Sequence, residues 1–130
     1  MNKTFIATYG TLRTGQPNHD KTKVKSHGIS TISRYKMYSM GGFPALLFTG
    51  EEEDRVKIEV LEIKDINYSR DVDMMELRYG YYISTIDVGG KPCKLYCMTA
   101  DIIRAYGRDD KHIVKTGDWL NQKQLKTINN

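Results

Sequence analysis

The chain has 130 residues, a formal net charge of +4 and 39% hydrophobic residues. That length suits a single domain over residues 1–130 with one modest core. No apolar run approaches the ~20 residues of a bilayer-crossing helix. The opening "MNKTFIATYG" lacks the apolar run and small-residue cleavage site of a signal peptide, so a cytoplasmic location is expected.

"KTFIATYG" reads as a strand running into the loop "YGTLRTGQPNH", Tyr9 to His19. Two readings stand for that loop. It turns the chain, or its successive N–H groups form an anion-binding concavity, with Gly10 letting a ligand approach the backbone. The basic run "KTKVK", Lys21–Lys25, reads as a solvated face rather than a nucleic-acid footprint, because no zinc-finger or RNP-like aromatic pattern accompanies it.

"SHGISTISRYKMYSM" carries Ile29, Ile32, Tyr35, Met37 and Tyr38 among polar residues and predicts strand. "GGFPALL", Gly41–Leu47, is a turn entering a short apolar run, or else a pocket rim. "GEEED", Gly50–Asp54, predicts a charged hairpin tip. "RVKIEVLEI" alternates as a half-buried strand does. Val72, Met75 and Leu77, with Asp71, Asp73 and Glu76, predict a short helix stopped near Gly80. "YISTIDVGGKPCKLYCMTA" predicts a hairpin about Gly89-Gly90. "GDWLNQKQLKTIN" predicts a short helix or coil anchored by Trp119 and Leu120.

Cys93 and Cys97 fall on one face of a predicted strand, with Cα atoms roughly 13 Å apart. A disulfide needs less than ~7 Å, so they read as core thiols. His19, His27 and His112 are scattered, and no nucleophile elbow, zinc-protease or phosphate-loop motif is present. Neither a metal nor a nucleotide cofactor is indicated. Glu76, among Met74, Met75 and Leu77, is a carboxylate in apolar company. Such a group has a raised pKa suited to acid–base work, or it is a surface Glu on an amphipathic helix. Five to seven strands, one or two short helices and mostly short connections predict an α+β protein: a small mixed or antiparallel β-barrel with flanking helices.

In this order, the pieces resemble the gamma-glutamylcyclotransferase-like family, which includes gamma-glutamylamine cyclotransferases and AIG2-like proteins. The family opens on Tyr-Gly-Ser/Thr-Leu-Arg and an Asn-His, here "YGTLRTGQPNH". It continues with a Tyr/Phe-Pro-Ala turn ("FPAL"), a Val-x-Gly-Glu strand ("VKIEVLEI") and a Leu-Asp-x-x-Glu-Gly segment ("VDMMEL"). A late Tyr strand follows ("KLYCM"), and bacterial and phage-type members close on Ser-Gly-Asp-Trp ("TGDW").

The resemblance implies a gamma-glutamylcyclotransferase-like fold and release of 5-oxoproline and an amine from a small gamma-glutamyl amine or peptide. It implies that Glu76 is the general acid–base. Tyr9, Gly10, Thr11 and Leu12 would hold the substrate through backbone N–H groups, with Tyr82 and Tyr96 also at the pocket. The chain departs from the family at Leu77, where Gly follows the catalytic Glu, and at Ile58, where Gly is common. It also has no Arg two residues after Tyr82. These departures leave open a non-catalytic module that binds a small metabolite or nucleotide on the same fold.

Overall fold

The computed structural model describes residues 3–121. β1 (Thr4–Thr8), β2 (Val24–Ser33), β5 (Arg55–Ile63), β6 (Tyr82–Val88) and β7 (Lys91–Cys97) form one mixed sheet in the order β2-β5-β1-β7-β6. β3 (Tyr35–Ser39) and β4 (Pro44–Phe48) form a separate two-stranded sheet. α1 (Ile66–Arg78) links β5 to β6, α2 (Ala100–Ala105) follows β7, and Asp110–His112 makes one 3-10 turn. The architecture is α+β, as expected. The barrel is not: β2 and β6 are the two edges of an open five-stranded sheet, and the small β3–β4 sheet packs across one face of it.

The central strands carry the period-two pattern on both faces, as strands covered on both sides do. In β1, Phe5 and Ala7 join Tyr35, Met37 and Leu46 beneath the small sheet. Ile6 faces the other way, into a second cluster with Leu61, Val72, Tyr96 and Ile103 beneath the helices. β1 runs antiparallel to β5 and parallel to β7, so it is paired on both edges. Cys93 and Cys97 lie with Leu95 in the first cluster as free, fully buried thiols.

Local signals set most boundaries. Gly89 and Gly90 sit at φ 58° and 83° between the paired residues Val88 and Lys91. Two positive φ angles in a two-residue loop define the hairpin turn that Gly-Gly favours. Asp65 caps α1, accepting from Asn67 N at 2.9 Å, and the helix stops before Gly80 as predicted.

Three expectations are corrected. The single strand read across Ser26–Met40 is two, broken at Arg34, whose φ is 82°. "GEEED" is not a hairpin tip, because β4 pairs with β3 while β5 pairs with β1 and β2; the segment carries the chain from one sheet to the other. α2 has no counterpart in the sequence reading. Its signal is local: Thr99 caps it, accepting from Ile102 N at 3.3 Å. The predicted C-terminal segment is described only as far as residue 121, where Trp119 packs on the first cluster.

Gly117 closes the fold. Its N–H donates to Val114 O at 2.9 Å, and its own carbonyl accepts from Lys57 N at 2.8 Å. A Cβ there would sit 2.3 Å from Arg55 O, and φ is 68°. Backbone cannot yield as a side-chain tip can. Gly117→Ala is therefore expected to destabilise by roughly 2–4 kcal/mol, read as a lowered urea midpoint at unchanged m-value.

Candidate active site

β1 ends at Thr8, and the chain turns at once, with Arg13 N donating to Gly10 O at 3.1 Å. The N–H groups of Gly10, Thr11 and Leu12 have no hydrogen-bond partner among the described residues. The loop is held from behind. Asn18 N donates to Thr11 O at 2.9 Å, and Asn18 Nδ2 to Thr11 Oγ1 at 2.9 Å. His19 Nδ1 lies 2.9 Å from Leu12 O. Arg13 pairs with Asp118 at 2.9 Å, both side chains almost fully buried. Thr14 donates to Glu59 from its N–H at 2.8 Å and from its hydroxyl at 2.5 Å.

This loop forms one wall of a cavity of about 180 Å³. Phe43 and Pro44 form a second wall, Met75, Glu76 and Tyr79 a third, and Tyr9, Tyr81 and Tyr96 reach it from the sheet. The space that Gly10 leaves is taken by Pro44, whose ring carbons lie 3.0 and 3.1 Å from where a Cβ would be. Gly10 thus lets the loop pack closely against "FPAL" while it lines the cavity.

The three phenols share one feature. Tyr9 donates to Tyr96 O at 2.5 Å, and Tyr81 donates to Pro44 O at 2.5 Å. A carbonyl only accepts, so each hydroxyl has committed its single proton. Tyr96 donates to Asp73 Oδ1 at 2.5 Å, and Asp73 is in turn paired with Lys94. All three hydroxyls are pushed well above the usual tyrosine range, first by burial, so they stay protonated. With its proton committed, each hydroxyl can only accept from a further group, and the Tyr9 hydroxyl is already engaged by Leu46 N–H and by the Tyr81 hydroxyl. The loop is the opposite: unpartnered donors.

Glu76 sits between the two. Its carboxylate has no hydrogen bond or ion pair among the described residues, and burial alone lifts it to about 7. Of the apolar neighbours of Glu76 expected from sequence, Met74, Met75 and Leu77, only Met75 lines the cavity; Met74 and Leu77 are more than half exposed. Its apolar surroundings come from Met75 and from the aromatic residues of other elements.

Tyr9, Gly10, Thr11, Leu12, Glu76 and Tyr96 all line this one cavity. Tyr82 does not. Tyr81 lines it, and alternation along the strand turns Tyr82 to the opposite face, opposite Cys97. The adjacent "YGYY" tyrosines could be separated only by the register of β6. Phe43 bears out the pocket-rim alternative for Gly41–Leu47, whereas Asn18 and Tyr79 also line the cavity without having been singled out from sequence. Phe43 stacks with Tyr79 and Tyr106 at centroid distances of 5.6 and 6.0 Å, forming an aromatic mouth. Of the departures, Leu77 is exposed and Ile58 is core, and neither lines the cavity.

The chain belongs to the gamma-glutamyl cyclotransferase, AIG2-like family, whose model matches residues 6–121. Among solved structures, an uncharacterised protein of Pyrococcus horikoshii is 23% identical with a TM-score of 0.72, the match covering 98% of each chain. The Escherichia coli protein ytfP is 22% identical with a TM-score of 0.65, over 92% of this chain and 99% of that one. A mouse AIG2-like protein is 22% identical with a TM-score of 0.60, over 75% and 78%. No significant match is found among curated proteins.

The raised pKa of Glu76 has a thermodynamic consequence. Between its usual 4.5 and about 7 the folded state binds the proton more tightly than the unfolded chain. Stability contributed by the protonated carboxyl is therefore present at low pH and is lost as pH rises through about 7. Glu76→Gln, which cannot ionise, is expected to melt higher than wild type at pH 8 and about equally at pH 4, below the usual 4.5. Paired thermal melts across that range check it; an equal offset at both pH values would contradict it.

Proposed function

We propose that the protein is a cyclotransferase acting on a gamma-glutamyl amine or peptide and releasing 5-oxoproline and the amine. The observation that carries this reading is the opposed polarity of the cavity around a protonatable Glu76. Unpartnered N–H groups at Gly10–Leu12 suit a carboxylate, and the phenolic acceptors Tyr81 and Tyr96 with Glu76 suit an ammonium. A gamma-glutamyl head carries both groups on one carbon. Family membership supports the same chemistry.

The reaction needs no enzyme nucleophile. Glu76 takes a proton from the α-ammonium. The freed amine attacks the γ-carbonyl carbon, closing a five-membered ring, and the carbonyl oxygen carries the developing charge. Glu76 returns its proton to the leaving nitrogen as the C–N bond breaks. The α-nitrogen ends as the lactam N–H, having given up two protons. The leaving nitrogen takes one from Glu76 and its second from Glu76 or water, so the protons balance. The cavity's other work is to fold a flexible glutamyl chain into an attack geometry, which is entropic.

A base near pKa 7 is half ionised at neutral pH, where it can both take and return a proton. Wild type is expected to release 5-oxoproline from gamma-glutamyl amino acids or gamma-glutamyl amines, detected by mass spectrometry. Activity at subsaturating substrate should rise with pH through about 7. Glu76→Gln should lose roughly 10²–10⁴-fold. Ligand stabilisation of a folded protein without product would instead identify a binding module.

A further inference from the structure

Two of the three cavity phenols have their polarity fixed by main-chain carbonyls, which no substitution changes. Tyr96 differs: its proton goes to a side chain, Asp73. Asp73 lies one turn before Glu76 on α1, and Tyr96 and Lys94 lie two residues apart on β7, so both project toward the helix. Lys94 Nζ donates to both Asp73 oxygens, at 3.0 and 2.9 Å, and to Ser69 Oγ at 2.7 Å. Ser69 is buried, while Asp73 and Lys94 keep about a quarter of their side-chain surface, facing a shallow opening beside Arg70. Lys94 and Asp73 do not line the Glu76 cavity. They reach it only through the hydroxyl of Tyr96.

A carboxylate whose oxygens already receive an ammonium accepts and cannot donate. The Tyr96 hydroxyl, on a residue that lines the cavity, can therefore only accept from a further group. We propose that Asp73 and Lys94 are positioning residues that lock Tyr96 as the acceptor for the α-ammonium of the substrate, and so impose a free amine on whatever enters. This rests on the gamma-glutamyl reading for the identity of the head group. The lock itself is a property of the hydrogen-bond chain Lys94–Asp73–Tyr96.

The test uses two probes that differ only in the amine: gamma-glutamylglycine, and glutarylglycine, which lacks it. Affinities are measured by calorimetry on the full chain carrying Glu76→Gln, so that nothing is consumed. Adding Asp73→Asn should weaken gamma-glutamylglycine by about tenfold, since the amide can donate to Tyr96 and reverse the hydroxyl. Glutarylglycine should change less than about twofold. Tyr96→Phe should give the same selective loss, and Asp73→Asn should add nothing in the Tyr96→Phe background.

An unchanged affinity, an equal loss for both probes, or additive losses would overturn the proposal. So would failure of the folded protein to bind either probe. If Asp73→Asn does not fold, Lys94→Met, which removes the ammonium from the pair, should give a smaller loss confined to the amine-bearing probe. Release of 5-oxoproline by wild type with no Asp73 effect would sink the lock and leave the cyclotransferase reading standing. A selective Asp73 effect with no 5-oxoproline from any substrate would keep the lock and sink cyclotransfer.

Discussion

The site depends on a buried carboxylate that never touches it. Glu59 lies in β5 opposite Thr8, the last residue of β1, and accepts from Thr14 N, Thr14 Oγ1 and Ser26 Oγ. Burial alone would raise its pKa, but the Ser26 and Thr14 hydrogen bonds, helped by Arg13, outweigh it and hold the group below the usual range. Glu59 thereby fixes the far end of the loop that begins at Tyr9. The Arg13–Asp118 pair fixes the middle. Both of its side chains are about nine-tenths buried, and removing one partner of such a pair costs roughly 3–5 kcal/mol, because the other charge is stranded. A loop that leaves three N–H groups unpartnered needs such anchorage. Those donors would otherwise be satisfied by the loop collapsing on itself.

The anchorage explains why the first and last motifs of the chain belong together. Arg13 of "YGTLR" and Asp118 of "TGDW" are 105 residues apart and meet at 2.9 Å. Gly117, which must lie flat against Arg55 and Val56, brings Asp118 to that position. The closing motif is thus a clamp on the opening one, and its distance in sequence from the cavity says nothing about its bearing on the site.

What the sequence reading captured was local. Period-two alternation identified β1 and β5, glycine pairs identified the β6–β7 hairpin, and a stop glycine ended α1. What it missed depended on partners remote in sequence. Whether the sheet closes is decided by whether β2 meets β6, and neither strand's pattern shows that. Tyr81 and Tyr82 are equivalent by composition and separated by one residue of register. Glu76 was picked out by motif, yet its helical neighbours Met74 and Leu77 face solvent. Its burial comes from Phe43, Tyr81 and Tyr96, supplied by segments up to 33 residues away, between Phe43 and Glu76.

The raised pKa of Glu76 goes with a cavity that carries no cation of its own. No lysine, arginine or histidine is among the residues lining the described cavity. A fixed cation there would favour the ionised form of Glu76 and pull its pKa back down. Neutral N–H dipoles can hold an anion without placing a full positive charge beside the base. Under the proposed reaction, the full positive charge beside Glu76 in the described cavity is the α-ammonium of the substrate. In the proposed reaction, that charge would favour ionisation of Glu76 while it serves as a base and would be gone once the proton is transferred, leaving the carboxyl to serve as an acid. A cavity lined with its own arginine would favour the ionised form of Glu76 and, in the proposed reaction, weaken its return of the proton.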